Sequence, residues 1–186
     1  KAKEITSPPV EFVTKALKCP DKNCATTRFI EGEDFFMYFS SPVSGYITIY
    51  LDDGEYAQAL LPYLQMPAKY ESGFPVMADN DYIFFSKRPE HYYPLDVDYL
   101  IDEYQLYAEK KEDLNRIFII FSKTPLNKPK LNEALMNEQL SDLEKEMGFA
   151  MPKSTESEDF QRWLIKNRGY RATDLQVAVI DISITK

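Results

Sequence analysis

Residues 35–61 contain three short strand-like stretches in close succession, and this segment constrains the fold more than any other part of the chain. Residues 35–39 form an unbroken aromatic and apolar run. Residues 45–51 alternate aliphatic side chains with tyrosine or threonine, the period of two that a strand imposes. Residues 52–54, Asp-Asp-Gly, then favour a hairpin turn, because glycine tolerates the positive φ that tight connections need. The segment predicts a three-stranded meander at the nucleus of a β-sandwich.

Residues 116–122, RIFIIFS, are apolar on both faces and rich in β-branched side chains. This pattern is typical of a central strand that is covered on each side. Residues 175–184 alternate isoleucine with polar residues and predict a closing strand. Shorter strands are predicted over residues 10–17, 28–30, 82–85 and 99–107.

Leucine and methionine recur at helical spacing over residues 131–147, before Gly148, and predict a helix. A second helix is indicated by Thr155 and Glu158, which have the spacing of a capping box, and by Gly169 as its C-terminal cap. We therefore predict an α+β fold, a mainly antiparallel β-sandwich of about seven to nine strands with two helices inserted before the last strand. Residues 1–186 are expected to form a single domain, with the helical insertion at about 129–169.

The formal net charge of −8 argues against a nucleic-acid partner, because a phosphate backbone binds to a cationic face. Lysine and arginine are also scattered along the chain. No apolar run approaches the ~18–20 residues that a membrane-spanning helix needs. We therefore predict neither nucleic-acid binding nor a membrane-spanning segment in this chain, and the sequence does not indicate an oligomeric state.

Cys19 and Cys24 are the only cysteines. They can close a small disulfide loop in an oxidising compartment. A zinc site is the alternative, but it needs further ligands, and the only histidine, His91, is distant in sequence. We predict no metal site and no cofactor.

His91 lies in an irregular stretch, and no partner for a general base is evident from the sequence. The chain has no Gly-x-Ser-x-Gly elbow and no glycine-rich phosphate loop. Carboxylates cluster at residues 52–55, 79–81 and 96–98. Such clusters can hold calcium, but they are also what turns use for local hydrogen bonds.

Five tyrosines concentrate aromatic surface over residues 92–107, and such rings stack on sugars or anchor protein partners. Half-buried strand positions are the alternative explanation. Tyr92 and Tyr93 are the predicted ligand contacts, because a proline-flanked loop does not easily bury both. Trp163 is assigned to the core by its helical spacing.

The order of these pieces resembles an uncharacterised bacterial family, a domain of unknown function. The resemblance spans most of residues 28–186: Gly45-Tyr46-Ile47, Asp53-Gly54, Leu60-Leu61-Pro62, RIFIIFSKTPL, FQRWL and QVAVIDISI. The family occurs in cell-envelope and secreted proteins of Bacteroides-like bacteria, and elsewhere beside kinase-like or caspase-like domains. It tends to have Leu-Phe-Pro-Asn after the meander, whereas Leu61-Pro62-Tyr63 here lacks the asparagine. The resemblance implies a β-sandwich-like fold, an envelope (periplasmic or surface-exposed) or secreted setting, and no established catalytic residues.

Together these features predict a non-enzymatic binding or structural module of the bacterial cell envelope, with a protein or glycan partner. The alternative hypothesis is a hydrolase of glycans or peptides that uses acidic loop residues and His91. A carboxylate beside His91 in a concave pocket would favour the enzyme, and an exposed aromatic patch would favour the binding module.

Overall fold

Two β-sheets enclose one apolar core in the computed structural model. It describes residues 10–62, 70, 73–92, 103–125, 155–158, 160–162, 164 and 175–186. In chain order the strands are β1 (Val13–Leu17), β2 (Arg28–Ile30), β3 (Asp34–Ser40), β4 (Gly45–Asp52), β5 (Tyr56–Leu61), β6 (Phe74–Val76), β7 (Tyr82–Phe84), β8 (Tyr104–Gln105), β9 (Glu112–Ser122), β10 (Thr155–Glu156) and β11 (Leu175–Thr185).

The smaller sheet has the order β1-β3-β7, with β8 paired to the other end of β3. The larger sheet has the order β10-β5-β4-β9-β11-β2, with β6 paired to the start of β4. Every pairing is antiparallel except that of β2 with β11. The number of strands in the described residues is higher than predicted, because several of these strands are only two or three residues long.

The three strands predicted over residues 35–61 are all present, but the predicted meander is wrong. β3 pairs with β1 and β7 in the smaller sheet, whereas β4 and β5 form a hairpin in the larger one. The connection after β3 crosses between the sheets and is held by Ser41, whose hydroxyl donates to the Val43 carbonyl at 2.8 Å. Sheet assignment depends on long-range partners, which the local alternation does not encode.

The β4–β5 turn forms as predicted. Gly54 adopts a φ of +99°, in the left-handed region that glycine tolerates. The Asp52 carboxylate accepts the Gly54 N–H at 2.8 Å, and one Asp53 oxygen accepts the amides of Glu55 and Tyr56, both at 2.8 Å. The two aspartates therefore have the turn-forming role that their residue type favours.

β9 is the central strand that its apolar sequence predicts. It pairs with β4 on one side and with β11 along the whole length of β11 on the other. Ile117, Ile119 and Phe121 point into the core between the sheets. Phe118 and Ile120 point to the opposite face, where they pack with Tyr50 and Phe160 in a second cluster.

The described residues contain very little helix, so the predicted pair of helices is not borne out. The first predicted helix, over residues 131–147, lies outside the described residues. In the second, residues 157–158, 160–162 and 164 are helical, and Phe160 is buried against Tyr50 and Phe118. Trp163, which was predicted to lie in the core, is outside the described residues. No helix in the described ranges has the length and hydropathy needed to cross a membrane.

The single-domain prediction over residues 1–186 stays a prediction, as does the helical insertion at 129–169. Of the strand predicted at 99–107, only residues 103–107 are described, and they include β8. β5 ends at Leu61, immediately before Pro62, as the loss of a backbone N–H at proline leads one to expect.

Candidate functional site

Tyr92, a predicted ligand contact, lies in the core. Its side chain has no exposed surface, and its ring packs edge-on against Phe74 and Phe84. Its hydroxyl donates to the Ser86 carbonyl at 2.6 Å. The 3-10 helix over Pro89–Tyr92 turns this side chain inward, so the Tyr92 ring is not accessible to a ligand in this structure. Tyr93, the second predicted contact, lies outside the described residues.

His91 faces a hydroxyl partner that the sequence did not indicate. Its Nδ1 lies 2.7 Å from the Ser86 Oγ, and the Arg88 amide also donates to that oxygen at 3.2 Å. The pair forms because the 3-10 helix folds residue 91 back over residue 86. The only sequence signal is Ser86 followed by Arg88-Pro89, a turn-forming run.

A hydroxyl beside an imidazole is the pairing that nucleophilic catalysis uses. Burial lowers the pKa of the His91 imidazole, the Glu90 and Asp21 carboxylates oppose that shift, and the Arg88 guanidinium reinforces it. The ring is therefore neutral at physiological pH and able to accept a proton. The Ser86 side chain, however, is only 2 % exposed, so a substrate does not reach its hydroxyl in this conformation.

Among the described tyrosines of the tyrosine-rich stretch, Tyr107 is the most exposed, at 65 %. Its hydroxyl donates to the Gln105 Oε1 at 2.9 Å, and the Gln105 Nε2 donates to the Asp34 Oδ1 at 3.2 Å. This hydrogen-bonded series runs from the loop after β8 back to the start of β3. We call Tyr107, Gln105 and Asp34 the tyrosine patch, because together they present an oriented ring beside an amide and a carboxylate.

The two acidic clusters in the described part of the chain have structural partners. Besides capping the β4–β5 turn, the buried Asp52 carboxylate accepts the Ser157 hydroxyl at 2.7 Å from each oxygen. Asp81 accepts the Tyr38 hydroxyl at 2.6 Å and pairs with Lys22 at 3.7 Å. The cluster at residues 96–98 lies outside the described residues. Within the described residues, no group of three or more His, Cys, Asp or Glu side chains is arranged to hold a metal ion.

Cys19 and Cys24 form a disulfide, with Cα atoms 5.5 Å apart. The loop that they close is also held by the Lys18 amide, which donates to the Cys24 carbonyl at 3.1 Å. Through Lys22 and Asp81 it contacts the residue before β7. The disulfide loop therefore lies against the smaller sheet.

Searches with protein-family models, among curated proteins and among solved structures returned no match to this chain. The resemblance to a bacterial envelope family accordingly stays a prediction. The function is argued from the geometry of the chain itself.

Proposed function

We propose that this chain is a non-enzymatic binding module of the bacterial cell envelope and that the tyrosine patch contacts a glycan. The observation that carries the proposal is the orientation of Tyr107. Its ring is mostly exposed, yet its hydroxyl is held by Gln105, which is held in turn by Asp34. An aromatic side chain that is already ordered loses little conformational entropy on binding.

The chemistry of the patch suits a sugar better than an apolar protein surface. A pyranose ring presents C–H groups that pack on an aromatic face, and hydroxyls that hydrogen-bond to amides and carboxylates. Gln105 and Asp34 are exposed beside the ring and supply both group types. A protein is the other class of partner that we considered, and the experiment below distinguishes it from a glycan.

The disulfide and the sequence resemblance support the envelope setting. The Cys19–Cys24 disulfide is stable in an oxidising compartment, and such compartments include the periplasm and the cell surface. The net charge of −8 disfavours nucleic acid as a competing partner. The sequence resemblance implies the same setting.

Binding to an array of bacterial glycans tests the proposal. We expect the protein to bind glycans on the array and the Tyr107→Ala variant to lose roughly tenfold or more in affinity, as loss of a central aromatic contact typically causes. Tyr56→Ala is the matched control, since Tyr56 is 45 % exposed but belongs to the β4–β5 hairpin. Equal binding by both variants, or capture of a protein but no glycan, would overturn the proposal.

The hydrolase remains the second candidate because of one observation, the 2.7 Å contact between His91 and Ser86. The burial of Ser86 weighs against it. Turnover of a glycan or peptide that disappears in both His91→Ala and Ser86→Ala would replace the binding proposal with the enzyme. If the protein only binds, both variants keep the glycan affinity of the unaltered chain, because neither side chain belongs to the tyrosine patch.

A further inference from the structure

A cleft of about 430 Å³ lies at the β2 edge of the larger sheet. The register of the paired strands shows which residues form the floor of the cleft. Ser183 of β11 lies opposite Arg28 of β2, and Thr185 lies opposite both Ile30 of β2 and Glu112 of β9. Side chains of these residues therefore share one face of the sheet, across three adjacent strands. The volume is in the range of small-molecule sites.

Both signs of charge line this cleft. Lys18, which precedes the disulfide loop, and Arg28 are the cations, whereas Glu33 and Glu112 are the carboxylates. Within the described part of the chain, the ion pairs are Lys22–Asp81, Lys87–Glu103 and Arg116–Asp181, so none of the four cleft charges is neutralised by a partner there. The cations and carboxylates thus line one cavity without pairing with each other.

The carboxylates differ in what they already bind. One oxygen of Glu33 accepts the Ile30 amide at 2.8 Å and belongs to the fold of the β2 edge. Glu112 has no such local role among the described contacts, and its side chain is exposed at the start of β9. Glu112 is therefore the carboxylate that is available to a ligand.

We propose that this cleft binds a small zwitterion, a short peptide or free amino acid with both termini charged. Lys18 and Arg28 bind its carboxylate, Glu112 binds its ammonium group, and the Ser183 and Thr185 hydroxyls contact the backbone between them. A ligand with charges of both signs satisfies all of these groups at once, whereas a simple anion leaves Glu112 opposed to it. The site is separate from the tyrosine patch and does not depend on the glycan proposal.

Titration with triglycine, followed by NMR of the amide resonances, tests this inference. We expect millimolar binding that shifts the resonances of Arg28, Ser183 and Thr185. N-acetyl-triglycine and triglycinamide, which each lack one terminal charge, should bind roughly tenfold more weakly, as expected when a charge-assisted hydrogen bond is lost.

Variants that each remove one charge show which terminus of the peptide each side chain binds. In Arg28→Ala, and independently in Lys18→Ala, triglycine and triglycinamide should approach equal affinity, while the penalty for the N-acetyl group remains. In Glu112→Gln, triglycine and N-acetyl-triglycine should approach equal affinity, while the penalty for the C-terminal amide remains. Arg88→Ala and Glu55→Gln, which remove exposed charges elsewhere, should leave all three affinities unchanged. Equal affinity of the three peptides for the unaltered protein, shifts confined to other strands, or no binding of triglycine at millimolar concentration would overturn the proposal.

Discussion

At the residue scale, burial along β9 changes within a few positions, and the cause is what packs over each side chain. Leu114 and Phe118 lie on the same face of the strand, yet Leu114 is 74 % exposed and Phe118 is 3 % exposed. The Phe160 ring lies 5.1 Å from the Phe118 ring and shields it from water. Ile119, on the other face, is fully buried between the sheets. Hydrophobicity alone therefore does not rank these residues by their importance to the fold.

Replacing Ile119 tests this difference. We expect Ile119→Ala to lower the free energy of unfolding by about 2–5 kcal/mol, because it empties a buried aliphatic site. Leu114→Ala removes a similar side chain from the same strand and should change it by less than about 0.5 kcal/mol. Urea denaturation of the two variants measures both values. A loss below about 0.5 kcal/mol in Ile119→Ala would contradict the position of β9 between two packed layers.

At the scale of elements, β2 is an edge strand whose outward backbone groups are satisfied locally. The Thr26 hydroxyl accepts the Arg28 amide at 3.1 Å and donates to the Arg28 carbonyl at 2.9 Å. The Glu33 carboxylate accepts the Ile30 amide at 2.8 Å, and the Glu33 amide donates to the Ile30 carbonyl at 3.0 Å. Unpaired groups of this kind template the addition of a strand from another chain. Thr26 and Glu33 therefore protect this edge of the sheet.

Removing the Glu33 carboxylate should expose the edge. We expect Glu33→Ala to increase self-association with protein concentration and to lower the free energy of unfolding by about 0.5–1.5 kcal/mol, the usual net value of one hydrogen bond. Light scattering during size-exclusion chromatography measures the association. Glu55→Ala, which removes an exposed carboxylate from the β4–β5 turn, is the matched control. If both variants associate no more than the unaltered protein, the side-chain cap is not what protects β2.

At the scale of the whole molecule, both faces of the smaller sheet carry buried apolar side chains. One face lines the core shared with the larger sheet. On the other, Leu17, Tyr38 and Ile83 form a separate buried cluster. The disulfide loop lies beside this cluster, since Lys22 pairs with Asp81 and Asp81 accepts the Tyr38 hydroxyl. Burial, reinforced by Asp81, raises the pKa of Tyr38. The loop thus joins the segment that follows β1 to the residue before β7.

The disulfide should be detectable and modestly stabilising. The non-reduced protein should have a mass lower by two hydrogens than the reduced protein. Because the closed loop is short, the paired substitutions Cys19→Ser and Cys24→Ser should cost about 2 kcal/mol, near the low end for disulfides. Guanidinium denaturation measures the cost. Two reactive thiols on unfolding of the non-reduced protein would rule the bond out.

What the sequence determined was the longer strands and the local turn. The period of two over residues 45–51, the apolar run at 116–122 and the alternation at 175–184 all correspond to strands, because each pattern reports which faces of one segment are buried. The Asp52-Asp53-Gly54 turn was also predictable from the sequence, since its hydrogen bonds join residues two or three positions apart. Such features depend only on neighbours along the chain.

Only the tertiary structure decided which strands pair and which side chains reach the surface. In the folded chain β3 pairs outside the predicted meander, Tyr92 is buried and Tyr107 is exposed. The cleft is a further case, because Lys18, Arg28, Glu112 and Ser183 come from four separate parts of the chain. Strand pairing is set by the total burial of many distant residues, and a site of this kind exists only after that pairing has formed. No local pattern carries that information.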